Sequence, residues 1–120
     1  NYNISGYFLL GYIIEKVTGK SYPDYIQENF FTPLGMTSTC YGRDTKIIKN
    51  RAYGYQQGGD GVANSDYCSM TQPYSAGSIM STVGDLFKWH QALYAGKLVK
   101  KETLEKAVTE YRLSNGKGSG

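Results

Sequence analysis

Serine, tyrosine, histidine and cysteine are the side chains in this sequence that could carry covalent or proton-transfer chemistry. A serine nucleophile needs an adjacent base, and neither Ser75 nor Ser78 has a lysine three residues away. His90, the single histidine, lies at helical spacing with apolar residues. A lone histidine in that setting is more often a packed residue than a ligand. These residues by themselves therefore do not define a nucleophile.

Sequence patterns for metal, redox and phosphate sites are also missing. Cys40 and Cys68 fit neither a zinc spacing nor a CxxC motif. They either form a disulfide, if the protein is exported, or are two free thiols. Asp60 and Asp66 do not match a calcium loop. The glycines around Asp60 are not followed by the Lys-Ser/Thr pair of a phosphate loop. We therefore expect no metal site and no cofactor.

Length and charge narrow the class of protein. The 120 residues predict one small domain. The net charge of +3 is not gathered into a dense basic stripe, so we expect no nucleic-acid partner. No apolar run has the length of a membrane span. The 12 tyrosines are typical of a partly solvated cleft or interface. They could equally occupy amphipathic positions at the edge of a core.

Four helices are predicted as the elements that must position any site. Caps are expected at Ser5, Ser21 and Thr82, the first helix should end at Gly19, and the fourth helix should cover about residues 102–111. Apolar spacing predicts a buried face on each helix: Tyr7, Leu10, Ile13, Ile14 and Val17; Tyr22, Tyr25, Ile26 and Phe30; Val83, Leu86, Phe87, His90, Leu93 and Tyr94; and Leu104, Ala107, Val108 and Tyr111.

Two further features complete the predicted fold. Gly11 inside the first helix costs about 1 kcal/mol relative to alanine, which predicts the close approach of another backbone. Residues from about Thr37 to Ser81 lack periodicity, apart from a weak alternation at 51–55 before the glycines of 58–61. The predicted fold class is mainly α, with about four helices, a long loop and possibly a short β-hairpin.

Two stretches of the sequence go beyond generic patterns. One is YNISGYFLLGYIIE at 2–15, continuing to PLGM at 33–36, and the other is YSAGSIMST at 74–82, followed by Asp85, Leu86 and Trp89. Together they resemble the serine β-lactamase family of the class C type, which includes D-alanyl-D-alanine carboxypeptidases, esterases and D-amino-acid peptidases. The resemblance covers essentially the whole chain. It implies that residues 1–120 are the helical subdomain of a larger hydrolase of the penicillin-binding-protein-like fold, truncated at both ends.

The resemblance also implies roles for particular residues. Tyr2 falls on the tyrosine of a Tyr-x-Asn motif, which would act as general base or proton relay beside a catalytic lysine. The segment Ser75, Ala76, Gly77 and Ser78 would form a wall of the substrate pocket. Ile4 stands where the motif asparagine is expected, and isoleucine cannot bond the lysine or a substrate amide. Either Asn3 replaces it through a backbone shift, or the intact protein is altered in substrate choice or activity.

The function implied is that of one part of a serine hydrolase that works through an acyl-enzyme. We expect this chain to lack the S-x-x-K nucleophile and the Lys/His-x-Gly strand of the family, and so to be inactive alone. Its partners would be the missing α/β lobe and, in the intact enzyme, a β-lactam or D-Ala-D-Ala-like small molecule or an ester. The alternative is a non-catalytic module that binds peptidoglycan or a protein partner. The family resemblance implies a periplasmic or cell-envelope location in bacteria.

Overall fold

The computed structural model describes residues 3–114, 116, 118 and 119, and within them four α-helices accompany three short pairs of antiparallel strands. The helices are α1 (Ile4–Thr18), α2 (Tyr22–Ile26), α3 (Val83–Tyr94) and α4 (Lys101–Val108). The strands are β1 (Cys40–Tyr41), β2 (Tyr55–Gly58), β3 (Gly61–Asn64), β4 (Ile79–Met80), β5 (Tyr111–Arg112) and β6 (Gly118–Ser119). A π-helical turn, Gln27–Phe31, continues α2, and a 3-10 turn, Tyr74–Ala76, precedes β4.

The cap of α1 differs from the prediction. Asn3, and not Ser5, is the N-cap residue, because its side-chain oxygen accepts a hydrogen bond from the Ser5 amide at 2.9 Å. An asparagine placed two residues earlier satisfies a first-turn amide that the Ser5 hydroxyl cannot reach from inside the helix. At the other end Gly19 has φ 69°, which is the left-handed conformation predicted for it.

The caps of α2 and α3 are confirmed. The Ser21 hydroxyl accepts from the Asp24 amide at 3.3 Å, and the Thr82 hydroxyl accepts from the Asp85 amide at 3.3 Å. The predicted extent of α4 is wrong at its carboxyl end. That helix stops at Val108, since the chain then turns into β5, which pairs with β6.

The β-hairpin predicted near residue 55 is present, but shifted along the chain. β2 pairs with β3 in antiparallel register, with Gly58 opposite Gly61. The glycines at 58–61 therefore form the turn, and residues 51–54 have no strand structure. Gly61 has φ 118°, a backbone conformation that residues other than glycine rarely adopt.

A short pair of strands, β1 and β4, joins the two ends of the long connection from 37 to 81. Cys40 of β1 lies opposite Met80 of β4, and the Gly42 amide donates to the Ser78 carbonyl at 2.7 Å. Both cysteines are free thiols, Cys40 half-buried and Cys68 exposed. Of the two states left open by the sequence, the structure has the free thiols.

The core is small and lies around α2 and the turn after it. Its buried members are Tyr22, Ile26, Phe31 and Met36. Seven partly buried residues pack against them: Ile14, Tyr25, Phe30, Leu34, Tyr41, Tyr74 and Trp89. The predicted buried face of α2 is therefore confirmed.

The predicted buried faces of α1, α3 and α4 are wrong for most of their residues. Leu10 and Ile13 on α1 are 56% and 53% exposed, and Phe87 on α3 is 59% exposed. Seven other predicted core residues are also at least half exposed: Tyr7, Val17, Val83, Leu86, Tyr94, Val108 and Tyr111. The buried residues of these helices are instead Gly11 on α1 and Asp85 and Ala92 on α3. None of the described helices combines the length and hydropathy required to cross a bilayer.

Candidate functional site

The segment Ser75–Ser78, named here the pocket-wall segment, is held against α1. Ser75 and Ala76 belong to the 3-10 turn, and the Ser75 hydroxyl donates to the carbonyls of Tyr7 and Phe8 at 2.8 and 3.2 Å. These carbonyls lie in the second turn of α1. The structure therefore brings the second stretch of family-like sequence onto the first.

Gly11 makes this close contact possible. A Cβ atom at position 11 would lie 2.2 Å from Ser75 Oγ and 2.9 Å from the Tyr74 ring. No side chain fits in that space, so glycine is required for α1 to approach the segment. The sequence predicted a close approach at Gly11, although the approaching atoms belong to side chains and not to a backbone.

Tyr74 fixes the start of the pocket-wall segment. Its φ of 45° is a left-handed conformation that costs a non-glycine residue of order 1–3 kcal/mol. Its ring packs against Phe8 at 4.7 Å and Tyr22 at 5.4 Å between centroids, which offsets that strain. Burial, and after it the neighbouring Glu15 carboxylate, raise the pKa of the Tyr74 phenol. Tyr74 is therefore a neutral anchor at neutral pH.

Glu15 joins the same anchor to α2. Its carboxylate accepts from the Tyr22 amide at 2.7 Å. That hydrogen bond, and then the interaction with Tyr74, lower the pKa of Glu15. The charged form of Glu15 is thus the one that the fold uses to cap the first turn of α2.

The polar groups of the pocket-wall segment are mostly occupied by the protein itself. Ser78 is fully buried, and its hydroxyl donates to the Met70 carbonyl at 2.5 Å. The amides of Ala76, Gly77 and Ser78 donate to the carbonyls of Pro73 or Tyr74. In this arrangement the segment offers a ligand its shape and the carbonyls of residues 75–77, and neither serine hydroxyl is available as a nucleophile. Its role as a pocket wall stays a prediction.

A second network attaches α3 to the residues that precede β1. The buried Asp85 carboxylate accepts from the Ser38 amide at 2.7 Å, the Thr39 hydroxyl at 2.9 Å and Lys88 Nζ at 2.7 Å. The bond from Lys88 is the largest cause that lowers the pKa of Asp85, with smaller contributions from Thr39 and Ser38 and an opposing one from burial. The sequence placed Asp85 in the second family-like stretch, three residues after the Thr82 cap, and gave it no long-range partner. Nothing in the sequence indicated that residues 46 and 47 positions earlier would bind it.

The amino end of α1 carries the departure from the family motif. Tyr2, the predicted proton relay, lies outside the described residues. Ile4 begins α1 and is 58% exposed. The side-chain oxygen of Asn3 accepts from the Ser5 amide as the helix cap. Asn3 thus has a structural task, which weighs against its replacing the motif asparagine.

Other candidate residues are placed away from the pocket-wall segment. His90 is exposed on α3 with its ring 4.7 Å from that of Tyr94, in place of the buried position predicted for it. One S-x-x-K spacing does occur, at Ser114–Lys117, which contradicts the expectation that the chain contains none. Ser114 is an exposed turn residue between β5 and β6 and does not stand on a helix, where residues three apart share a face. Lys117 lies outside the described residues.

Comparison with known proteins identifies the class. The family model described as Beta-lactamase matches residues 1–120. The chain is 34% identical to the putative penicillin-binding protein PbpX of Bacillus subtilis over 91% of its length, and 35% identical to penicillin-binding protein 4* of the same organism over 96%. A D-amino acid amidase from Ochrobactrum anthropi, solved with D-phenylalanine, superposes with a TM-score of 0.80 at 31% identity, over 88% of this chain and 33% of that one.

The chain belongs to the beta-lactamase family. Its relatives by sequence include penicillin-binding proteins, and its structural neighbours include a D-amino acid amidase and a penicillin-binding protein from Bacillus halodurans. The chain spans 28% of the length of each of the two Bacillus relatives. The four helices and few strands agree with a part of that fold.

Proposed function

We propose that these 120 residues are the helical subdomain of a larger serine hydrolase that works through an acyl-enzyme. The observation that carries the proposal is the clamp of the pocket-wall segment onto α1 through Ser75 and Gly11. This clamp sets a candidate pocket wall against the helix that begins two residues after Tyr2. A nucleophilic serine and its lysine would come from elsewhere in the intact protein.

Tyr2 is the one residue of this chain to which we assign proton transfer. A phenol with an ordinary pKa near ~10 is almost fully protonated at pH 7, so it needs a nearby cation to serve as base. The catalytic lysine of the intact protein would supply that cation. We propose that the chain on its own does not supply this lysine and does not hydrolyse substrate.

The proposed partner of this chain is an α/β lobe of the same protein. Support comes from the exposed apolar residues of α1, such as Leu9, Leu10 and Ile13, which are each more than half exposed. Monomeric proteins seldom leave contiguous apolar patches of this kind uncovered. Their burial by a second lobe would complete the core that the described residues leave small.

For the substrate, we propose an acyl compound of the β-lactam or D-Ala-D-Ala type, or an ester. The names of the two Bacillus relatives point to penicillin, and that of the Ochrobactrum structure points to D-amino acid amides. Ile4 favours a substrate whose binding does not depend on an amide hydrogen bond at that position. We also propose that the intact protein acts at the bacterial cell envelope, as the penicillin-binding relatives suggest.

A second candidate function is non-catalytic binding of peptidoglycan or a protein partner. Ile4 is the specific observation that favours it, since a hydrocarbon side chain cannot orient a lysine. The coding sequence on either side distinguishes the two: S-x-x-K upstream with a Lys/His-x-Gly strand downstream supports the hydrolase, and a missing nucleophile supports the binding module.

The proposed hydrolase is tested with the intact protein and a chromogenic cephalosporin or ester. We expect Tyr2→Phe to lower kcat by about 10²–10⁴-fold, the usual range for loss of a general base. Tyr12→Phe is the matched control, since Tyr12 is an exposed tyrosine of α1 that we place in no site. Equal turnover by the Tyr2→Phe variant would remove the role proposed for Tyr2.

A further inference from the structure

A separate cleft lies between the loop that follows β1 and the residues that follow the β2–β3 hairpin. Its volume is about 720 Å³. The lining comes from residues 46–48, 50–54, 64–68 and 70, and includes no residue of α1 or of the pocket-wall segment. We call it the polar cleft after the polar and charged side chains that define it, although apolar atoms make up more of its lining surface: Lys46, Arg51, Tyr53, Asp66, Tyr67 and Cys68.

Both walls of the polar cleft are fixed by specific hydrogen bonds. The Asp44 carboxylate accepts from the Ser69 hydroxyl at 2.5 Å and from the Met70 amide at 3.0 Å, which ties the first wall to the second across 25 residues. At the hairpin end the Ser65 amide donates to the Gly54 carbonyl at 2.9 Å. The cleft is therefore a feature of the folded loop.

The charge of the lining favours an anion. Lys46 and Arg51 form no hydrogen bond or ion pair through their side chains with any residue of the described ranges. The carboxylate of Asp44, the acid that Arg51 influences, already accepts bonds on both of its oxygens. Asp66 also lines the cleft, so the lining itself holds two cations and one acid, with Asp44 near Arg51 but outside the lining. A ligand carboxylate could pair with the guanidinium in bidentate geometry.

The backbone of the two walls favours a peptide over a small anion. Ala52 and Tyr53 on one wall, and Asp66 and Tyr67 on the other, make no backbone hydrogen bond with another described residue. Unpaired amides and carbonyls of this kind are what a bound peptide main chain requires. A phosphate ion or a lipid headgroup would use the two cations and leave these groups unpaired. The rings of Tyr53 and Tyr67, 81% and 75% exposed, add surface for apolar side chains.

We propose that the polar cleft binds a peptide that bears a carboxylate group, with Arg51 and Lys46 pairing the carboxylate and the unpaired backbone groups bonding the peptide main chain. This goes beyond the proposed hydrolase function, because binding here needs no nucleophile. The lining contains no residue of the pocket-wall segment, although Met70, which lines the cleft, accepts a hydrogen bond from Ser78 of that segment. Occupancy of the cleft is measured by labelling of a cysteine and needs no turnover.

Cys68 provides a reporter inside the cleft. It is exposed, free and part of the lining, whereas Cys40 is half-buried in β1 and serves as the internal reference. The rate of alkylation of each cysteine by iodoacetamide is followed by mass spectrometry. The probe is an acetylated peptide of alternating alanine and glutamate with a free carboxyl terminus. Its neutral match has glutamine for glutamate and an amidated terminus, and inorganic phosphate is the third arm.

We expect the acidic peptide to slow alkylation of Cys68 several-fold and to leave Cys40 unchanged, with much weaker protection by the neutral peptide and by phosphate. Arg51→Gln should weaken protection at least tenfold, since the bidentate charge-assisted pair with the guanidinium is lost. Lys46→Gln should weaken it less. Arg112→Gln and Lys97→Gln, exposed cations outside the lining, are the matched controls.

Four results would overturn the proposal. Equal protection by the neutral peptide would show that charge is not recognised, and full protection by phosphate alone would show an anion site and not a peptide site. Unchanged protection in the Arg51→Gln variant, with far-UV circular dichroism equal to that of the parent sequence, would remove the proposed carboxylate contact. An absence of protection by any probe would also overturn it.

Discussion

Gly11 shows how a single missing side chain decides the geometry of the candidate site. The space beside its Cα is filled by the hydroxyl of Ser75, in the segment proposed as a pocket wall, and by the ring of Tyr74, which directly precedes that segment. The Ser75 hydroxyl in turn binds the carbonyls of Tyr7 and Phe8. The distance between α1 and residues 75–78 is therefore set by one glycine and one serine.

The substitution Gly11→Ala tests this close contact. Alanine favours a helix over glycine by about 1 kcal/mol, but overpacking of a tight contact costs about 1–3 kcal/mol. Because the new Cβ would lie 2.2 Å from Ser75 Oγ, we expect the overpacking to dominate and the free energy of unfolding in urea to fall.

Gly6→Ala on the same helix is the matched control for that change. Nothing lies within 4 Å of a Cβ atom built at position 6. We therefore expect Gly6→Ala to be neutral or to stabilise by up to about 1 kcal/mol. If both substitutions stabilised the protein equally, the proposed clamp would not constrain α1.

Asp85 makes stability depend on pH at the residue scale. Its pKa is lowered, chiefly by the hydrogen bond from Lys88, so its charged form stabilises the fold. This contribution is complete above the pKa of the unfolded state, about 3.9, and is lost as the pH falls through the lower pKa of the folded state. Asp85→Asn should therefore lower Tm clearly at pH 7 and change it little at the acid end of the range.

The control for Asp85 is Asp60→Asn. Asp60 is exposed in the hairpin turn and makes no hydrogen bond with the rest of the described chain. Its substitution should leave Tm the same as that of the unsubstituted protein between pH 3 and 7. A pH-independent loss of Tm in Asp85→Asn would mean that the carboxylate contributes through its shape and not through its charge.

At the scale of elements, local chemistry was predictable and packing partners were not. The Ser21 and Thr82 caps, the left-handed Gly19 and the buried face of α2 follow from spacing and side-chain type within a few residues. The pairing of β1 with β4 and the bonds from Ser38 and Thr39 to Asp85 join residues about 40 positions apart. Such contacts depend on how the elements meet, which the local pattern does not contain.

The same limit explains the candidate site. The sequence could indicate that Gly11 faces a close neighbour and that residues 75–78 are small. It could not show that the hydroxyl of Ser75 would fill the space beside Gly11, or that Ser78 would be buried on the Met70 carbonyl. The polar cleft lies in a region without periodicity, and no local pattern there predicted it.

Ser21→Ala tests the cap of α2, the helix that carries most of the core. The hydroxyl accepts from the Asp24 amide and also donates to the Asp24 carboxylate at 2.5 Å. Removal of an N-cap serine costs about 1 kcal/mol, and we expect a fall of that size in the free energy of unfolding. Ser21→Asn restores a capping oxygen and should recover most of the loss. Equal stability of the alanine and asparagine variants would contradict a capping role.

At the scale of the whole molecule, the exposed apolar faces are the main unexplained surface of the chain. Leu9, Leu10 and Ile13 lie on α1, while Leu86 and Phe87 lie on α3, and each is 53–59% exposed. The sequence correctly marked most of these positions as apolar faces, although the described chain does not bury them. We attribute this difference to the proposed α/β lobe.

Ile13→Glu tests whether a second lobe covers the apolar face of α1 in the intact protein. Ile13 is 53% exposed, so in the 120-residue chain the substitution should change the free energy of unfolding by less than about 0.5 kcal/mol. In the intact protein it would place an unpaired charge in the lobe interface and should destabilise by several kcal/mol. Val62→Glu, at a 76% exposed hairpin position, should be tolerated in both. Equal tolerance of Ile13→Glu in both proteins would argue against the lobe interface.

The central claim is that this chain serves a serine hydrolase that forms an acyl-enzyme, and the most direct measurement is the mapping of a covalent adduct. The intact protein is incubated with a fluorescent penicillin, digested and analysed by mass spectrometry. We predict one acyl group per molecule, on a serine outside residues 1–120 that is followed three residues later by lysine, and slower labelling of the Tyr2→Phe variant. An adduct on Ser75, Ser78 or Ser114 would contradict the account, as would no adduct under conditions that label a known penicillin-binding protein.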